Sequence, residues 1–232
     1  PVSVVSGTPV TVAEDGVYTL KVTADDAVST TGPATASKTF TVDSTAPVVT
    51  CPSSPTYTLN QTGATITATV SDGGSGPTAP TVTAPAPTGI VGARTVGLQA
   101  TDRAGNTATK WCGYSVGYRF DGFQSPLSNT AVNNVNAGSN VPVKWRITDA
   151  NGVGVADPVS FVGLRLIGSP CAATATVTVT EVTISTGSDL KYQGNGIWQY
   201  NWKTPRSPTG CFDLQLRLND SDTPRIVEVR LR

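Results

Sequence analysis

The chain has 232 residues and contains no histidine and no methionine. Without histidine it lacks the commonest general base, the commonest transition-metal ligand and the usual pH switch of proteins. Lysine and arginine together number 16, as do aspartate and glutamate, so the formal net charge is zero. Nucleic acids and anionic membranes attract proteins through an excess of basic residues. The sequence therefore excludes histidine-dependent catalysis and predicts no nucleic-acid partner.

Long apolar runs are also missing. No stretch of 18 apolar residues occurs, so the sequence predicts no membrane insertion. The first residues lack the charged and apolar regions of a secretory signal and begin with a strand-like pattern. We therefore expect a mature form or a fragment of a longer protein.

Other catalytic constellations are scarce. Glycoside hydrolysis needs two acids across a cleft, yet the glutamates are limited to Glu14, Glu181 and Glu228. No glycine-rich phosphate loop stands between a strand and a helix, and no nucleophile elbow occurs. We predict that the chain is not an enzyme and that it uses no organic cofactor.

The residues that are abundant favour short strands. The chain has 23 glycines and 17 prolines, and threonine and valine are conspicuous. Val141, Val143 and Trp145 alternate with polar residues, which is typical of a strand with one buried face. No segment has a helical period. The sequence predicts an all-β chain of immunoglobulin-like β-sandwich modules in tandem.

An internal repeat supports this organisation. Residues 16–26 match residues 92–102, so that Val22 aligns with Leu98 on the same apolar face. Each copy has the pattern of a strand, a turn containing aspartate and a second strand. In the second copy the turn is at residues 102–106.

The repeat predicts three segments, which are 1–43, 44–117 and 118–232. Pro47 and Pro52 make the joint between the first two short and stiff. The first segment matches only the second half of the repeat. Either its beginning is missing, or strands from a neighbouring subunit complete it.

The four cysteines predict an oxidising compartment. They are Cys51, Cys112, Cys171 and Cys211, and no Cys-x-x-Cys spacing is present, which argues against zinc and thioredoxin-like sites. Three pairings are formally possible. We predict Cys51–Cys112 and Cys171–Cys211, because each pair then lies within one segment. Secretion or display on a cell surface follows from this prediction.

The second segment resembles hyalin repeats (HYR) and related bacterial immunoglobulin-like repeats. Those repeats begin with Cys-Pro after a proline-containing linker and end with a Thr-Asp-x-Ala-Gly-Asn turn and a second cysteine. The matching residues here are 46–52, 92–96, 100–106 and 112–116. The resemblance implies an immunoglobulin-like fold and no particular function.

The third segment resembles the PxKF domain of secreted bacterial proteins. Residues 136–145, 189–192, 200–205 and 210–214 carry the resemblance. Trp145 stands where that family has phenylalanine, and residues 219–222 replace its usual Asp-Gly turn. The resemblance implies an exported bacterial protein and a non-catalytic accessory module.

Calcium is the metal that the polar loops can best accommodate, because it prefers aspartate, asparagine and backbone oxygens. The candidate ligands are Asp102, Asn106, Asp149, Asn151 and Asp157. The same residues are typical of turns in which aspartate and asparagine bond their own backbone. We prefer the turn interpretation and keep calcium as the alternative.

Three aromatic residues share one face of a predicted strand. Trp198, Tyr200 and Trp202 alternate with residues that are mainly polar. Aromatic rings on a rigid surface stack on sugars, but the same spacing also suits a buried face. We prefer the buried interpretation and keep glycan contact as the alternative.

Three hypotheses for function follow. The first is a non-catalytic spacer, display or assembly surface whose partners are other domains of the parent chain or neighbouring subunits. The second is a carbohydrate-binding appendage of a secreted hydrolase, with a glycan as partner. The third is a subunit of an extracellular assembly that is completed by strand addition.

Overall fold

The structure is a computed structural model that describes residues 9–24, 32–169, 182–184, 190–207 and 209–232. These residues contain seventeen strands, one 3₁₀ turn and no α-helix. Within the same ranges no helix has the length and apolarity needed to cross a membrane. The predicted all-β class is confirmed.

Eight strands precede residue 118. They are β1 (Gly16–Ala24), β2 (Ala34–Val42), β3 (Val48–Thr50), β4 (Thr56–Thr58), β5 (Thr65–Ser71), β6 (Thr81–Pro85), β7 (Gly92–Thr101) and β8 (Thr107–Gly117). Nine strands follow, and a 3₁₀ turn at Pro158–Ser160 stands between the third and fourth of them. They are β9 (Arg119–Gln124), β10 (Asn133–Val135), β11 (Asn140–Thr148), β12 (Phe161–Gly168), β13 (Val182–Ile184), β14 (Leu190–Gly194), β15 (Ile197–Lys203), β16 (Gly210–Leu218) and β17 (Arg225–Leu231).

The chain divides into two compact units. The first unit comprises residues 1–53, 65–84 and 96–112, and the second comprises residues 54–64, 85–95 and 113–232. The predicted segments 1–43, 44–117 and 118–232 stay a prediction about domains.

The first unit begins with an antiparallel hairpin of β1 and β2, paired from Gly16↔Val42 to Ala24↔Ala34. Among the described strands this hairpin pairs with no third strand. Its apolar side chains are exposed, and Val17 has 72% of its surface accessible. The rings of Tyr18 and Phe40 stack across the two strands at 5.8 Å between centroids.

Two three-stranded sheets follow the hairpin, in the orders β3-β5-β6 and β4-β8-β7. Along β5 the side chains of Ile66, Ala68 and Val70 are buried and alternate with exposed threonines. This period of two results from the pleat of a strand that has one face against a core.

A disulfide joins Cys51, just after β3, to Cys112 on β8. Its Sγ atoms close a separation of 61 residues, and the prediction of this pair is confirmed. The bond indicates an oxidising compartment. Cys211 lies on β16, but Cys171 lies outside the described residues, so the pair Cys171–Cys211 stays a prediction.

The second unit contains a larger sandwich of two sheets. Their strand orders are β14-β15-β11-β9 and β10-β17-β16-β12-β13. In immunoglobulin domains strands A, B, E and D form one sheet, and strands C, F and G form the other. Taken in chain order, strands A to G correspond to β9, β11, β12, β14, β15, β16 and β17. The sheet β14-β15-β11-β9 then has the order D-E-B-A, and β12, β16 and β17 are strands C, F and G. The predicted immunoglobulin-like fold is thus confirmed by the strand order itself.

The core of this sandwich takes alternate side chains from both sheets. The register of β11 against β15 pairs Val141 with Trp202 and Trp145 with Trp198. Trp145 and Trp202 have no exposed surface. The ring of Phe161 lies 5.4 Å from that of Trp145. The largest side chains of the second unit therefore lie between its sheets.

Replacing Trp202 by alanine should destabilise the second unit. The ring is fully buried, so the cavity and the lost contacts should lower the free energy of unfolding by about 3–5 kcal/mol. Urea unfolding followed by amide NMR signals of the second unit measures the change. Trp111→Ala is the matched control, because Trp111 is 67% exposed. Equal stability of Trp202→Ala and the parent would contradict the buried position.

Candidate functional site

Three aspartates converge in the first unit, each directly after the last residue of a strand. Asp43 follows β2, Asp72 follows β5 and Asp102 follows β7. The antiparallel pairing Val48↔Ser71 brings the start of β3 beside the end of β5. One carboxylate oxygen of each aspartate lies within 4.8 Å of the others. We call these three residues the carboxylate cluster.

Asp102 holds the turn between β7 and β8. Its Oδ1 accepts the backbone N–H of Asn106 at 2.8 Å, and its Oδ2 accepts the Asn106 side-chain amide at 2.8 Å. The residue is only 1% exposed. This is the turn that the sequence predicts, and it places a buried carboxylate at the centre of the cluster.

The same Asn106 amide reaches the residues that connect β2 to β3. Its Nδ2 lies 2.9 Å from the carbonyl oxygen of Asp43 and 3.3 Å from that of Thr45. We call residues 43–47 the joint. The turn after β7 thus binds the backbone of the joint directly.

Asp43 links the joint to the loop after β5. Its carboxylate accepts the backbone N–H of Ser75 at 2.6 Å and that of Thr45 at 3.1 Å. The backbone and side-chain hydrogen bonds from Ser75, followed by the bond from Thr45, lower the pKa of Asp43 from its ordinary value. A Cβ on Gly74 would collide with the same carboxylate. A side chain at position 74 would therefore displace the Asp43 carboxylate.

Asp72 closes the loop after β5. Its Oδ2 accepts backbone N–H groups of Gly74 at 3.1 Å and Gly76 at 2.8 Å. Its Oδ1 is buried and has no hydrogen-bond partner. A buried carboxylate oxygen without a partner is costly, because it has lost its water.

Asp15, which precedes β1, contacts the joint as well. Its Oδ1 accepts the N–H and the hydroxyl of Ser44, both at 2.9 Å, and its Oδ2 accepts the hydroxyl of Thr45 at 3.0 Å. These hydrogen bonds lower the pKa of Asp15. The Ser44 hydroxyl has the largest effect, followed by the Thr45 hydroxyl and the Ser44 N–H. The joint is therefore held by side chains from several elements of the first unit.

The other calcium candidates lie in the second unit and serve backbone turns. Asp149 Oδ1 accepts the N–H of Asn151 at 2.8 Å, and its Oδ2 accepts the Asn60 amide at 3.0 Å. The Asn60 amide is the main cause of a lowered pKa for Asp149. Asp157 caps the 3₁₀ turn at Pro158–Ser160. Within the described ranges the carboxylate cluster is the one group of three ligands close enough to share an ion.

The predicted aromatic platform lies in the core of the second unit. Trp198, Tyr200 and Trp202 are 3%, 5% and 0% exposed. The indole N–H of Trp198 donates to the carbonyl of Val155 at 2.9 Å. Rings at this depth have no face open to a sugar, so glycan contact does not occur at these residues.

A different tryptophan has an exposed face. Trp111 lies on β8 in the first unit and is 67% exposed. A Cβ on Gly97 of β7 would meet three atoms of its six-membered ring at 3.5 Å each. The indole therefore lies flat over Gly97. Sequence reasoning missed Trp111, although its position next to the buried Cys112 predicts that it points outward.

The cluster was also missed in part. Sequence reasoning found Asp102 and Asn106 but not Asp43 or Asp72. These aspartates are about thirty residues apart along the chain, so no local spacing joins them. The available signal was their shared position one residue after a strand.

Comparisons with known proteins show no family match. No protein-family model matches the chain, and no curated protein does. Similar solved structures include titin domains Z1Z2 in complex with telethonin, at 18% identity, 82% of this chain, 97% of that chain and a TM-score of 0.24. Sidekick-1 immunoglobulin domains 1–5 align at 11% identity over 94% of this chain and 45% of that chain, with a TM-score of 0.29.

An enzyme is also among the similar structures. An endo-β-1,4-mannanase from Thermotoga petrophila aligns at 14% identity over 50% of this chain, with a TM-score of 0.28. The alignment spans 20% of the mannanase. Likenesses at these TM-scores carry no argument about this chain. The immunoglobulin-like fold is concluded from the chain's own strand order.

Acid should weaken the joint. The pKa values of Asp15 and Asp43 lie below the ordinary value of 3.8, so the unfolded chain binds protons before the folded chain does. Their stabilisation is complete above about pH 5 and is lost as the pH falls below 3.8 through the lowered values. Urea unfolding between pH 7 and pH 3, followed by amide signals of the first unit, measures this loss.

Asp43→Asn should reduce the loss of unfolding free energy that the first unit shows between pH 7 and pH 3, because one of the two groups no longer titrates. Asp222→Asn is the matched control, since Asp222 is an exposed carboxylate of the second unit. An acid dependence of Asp43→Asn as steep as that of the parent contradicts the assignment.

Proposed function

We propose that this chain is a non-catalytic spacer and display segment of a secreted or cell-surface bacterial protein. Its immunoglobulin-like sandwiches and its disulfide support a structural module that folds in an oxidising compartment. The resemblances to hyalin repeats and to the PxKF domain support a bacterial exported protein. The absence of histidine supports a role without acid–base catalysis. Its partners are other domains of the parent chain or neighbouring subunits.

The observation that carries the proposal is the fixed joint of the first unit. A spacer must keep successive elements in a defined arrangement, so the residues between them cannot move freely. Asp15 binds the joint from the residue before β1, Ser75 from the loop after β5, and Asn106 from the turn after β7. Pro47, which is buried, restricts the backbone further.

Backbone order in the joint tests this proposal. We expect ¹⁵N relaxation to give order parameters of about 0.85 for the non-proline residues of the joint, the value of rigid backbone. Asn106→Ala removes the amide that reaches the joint and should lower these values. Asn134→Ala, at an exposed position on β10, is the matched control. Order parameters below about 0.6 in the parent would overturn the spacer proposal.

A second candidate function, carbohydrate binding, is favoured by Trp111. An indole that lies flat on a strand and is exposed on its other face suits stacking against the apolar face of a sugar ring. The ring lies over Gly97, where even a Cβ would only touch it at an ordinary contact distance of 3.5 Å. Under this alternative the chain is an appendage of a secreted hydrolase and its partner is a glycan.

Polysaccharide binding distinguishes this alternative from the spacer proposal. If Trp111 is a sugar platform, the protein should bind an insoluble polysaccharide saturably, and Trp111→Ala should abolish the binding. Trp111→Phe should retain part of it, since a smaller aromatic face remains. Ile90→Ala is the control, because Ile90 is exposed and not aromatic. Saturable binding that Trp111→Ala leaves unchanged, or no binding to any polysaccharide tested, rules out this platform.

The third hypothesis, completion by strand addition, concerns the β1–β2 hairpin. Its exposed apolar residues and its two strand edges are features that such pairing would cover. Whether a neighbouring subunit supplies a strand stays a prediction.

A further inference from the structure

We propose that the carboxylate cluster of Asp43, Asp72 and Asp102 binds a calcium ion that fastens the joint. This goes beyond the proposed spacer function, which rests on the hydrogen bonds of the joint alone. Sequence reasoning preferred turns to calcium at Asp102 and Asn106. The structure shows that the turn is present and that two further carboxylates meet it.

The spacing of the oxygens fits one calcium ion. Calcium bonds oxygen at about 2.3–2.6 Å, so ligands on opposite sides of the ion are about 4.6–5.2 Å apart. One oxygen from each of the three aspartates lies within 4.8 Å of the other two. These separations are of the size found among the ligands of one calcium ion, so small adjustments of the three side chains would place all of them on a single ion.

An orphaned oxygen supplies independent support. Asp72 Oδ1 is buried and has no hydrogen-bond partner, while the other oxygen of the same carboxylate accepts two backbone N–H groups. Burial has removed the water that would otherwise solvate this oxygen. A metal ion bound by this oxygen would restore the missing interaction.

The charge of the cluster has no cationic partner. Asp102 is 1% exposed, yet within the described ranges no lysine or arginine forms an ion pair with it, with Asp43 or with Asp72. Like charges at this distance repel each other, and a buried charge is unfavourable without a partner of opposite charge. A divalent cation would remove both costs.

The type of ligand selects the class of ion. All three groups are carboxylates, and hard cations prefer oxygen, whereas zinc prefers histidine and cysteine. Magnesium demands near-octahedral geometry at about 2.0–2.1 Å, while calcium accepts irregular sets of six to eight oxygens. The three aspartates come from separate loops and leave several positions for water. Calcium is therefore the ion that this arrangement fits best.

Arg103 offers a competing way to neutralise the cluster. It follows Asp102 in the same turn, and its Nη1 is 3.4 Å from the place that a Cβ on Gly76 would occupy. It forms no ion pair with the cluster in the described residues. If Arg103 moved onto the carboxylates, calcium affinity would be low in the parent and would rise in Arg103→Ala.

Calorimetry and NMR on the whole chain test the proposal. The protein is first freed of metal with a chelator and then titrated with calcium chloride. We expect one site with a Kd of about 10⁻⁴–10⁻³ M, the range of extracellular modules. Amide shifts should concentrate at residues 43–45, 72–76 and 102–106. This NMR measurement on the parent does not depend on the folding of any variant.

Asp72→Asn keeps the size of the side chain and removes its charge, so it should weaken calcium binding about tenfold or more. Asp222→Asn, which removes one exposed charge from the second unit, should leave the affinity unchanged. Equal affinity of Asp72→Asn and the parent would overturn the assignment, as would tighter binding of magnesium than of calcium. No saturation by about 10 mM calcium in the parent would also overturn it.

The relaxation measurement on the joint separates this proposal from the spacer function. If the joint is ordered in excess chelator and the metal-free protein does not bind added calcium, the calcium site is overturned and the spacer proposal stands. Calcium binding with a disordered joint would overturn the spacer proposal. Joint order that rises with calcium would support both.

Discussion

The side-chain amide of Asn106 is the contact on which the arrangement of the first unit depends. It satisfies the buried carboxylate of Asp102 and also reaches two carbonyl oxygens of the joint. A buried carboxylate accepts but cannot donate hydrogen bonds while ionised, so it cannot bind a carbonyl directly. An amide carries donors on one nitrogen and can bridge the two acceptors. Aspartate at position 106 would lack the donors and add a fourth negative charge.

The second unit is stabilised by a different principle. Its two sheets place their large side chains on alternate positions, and the registers of β11 with β15 and of β12 with β16 align these positions within each sheet. Tryptophan, leucine and valine fill the space, and Trp145 and Trp202 keep their indole nitrogens buried without a partner. Packing of apolar area therefore outweighs the loss of those two hydrogen bonds. The first unit, with fewer large buried side chains, uses the disulfide and polar bonds instead.

The sequence predicts those features that repeat over a short distance. The alternation of Val141, Val143 and Trp145 identified a strand and its buried face, because the pleat imposes a period of two. The Asp102–Asn106 turn was equally local. The cluster could not be predicted in full, since Asp43 and Asp72 meet only through the pairing of β3 with β5. Sequence separation alone does not indicate which distant residues come into contact.

The Cys51–Cys112 bond has a mechanical consequence for a chain pulled from its ends. Tension that arrives at Cys51 passes through the two sulfur atoms to Cys112, so the covalent backbone between them is not stretched. Asp72, Asp102 and Asn106 belong to this shielded stretch, whereas Asp43 and Thr45 lie outside it. Under force the joint would detach from a turn that stays folded. When the force ends, the turn is still in shape to bind the joint again.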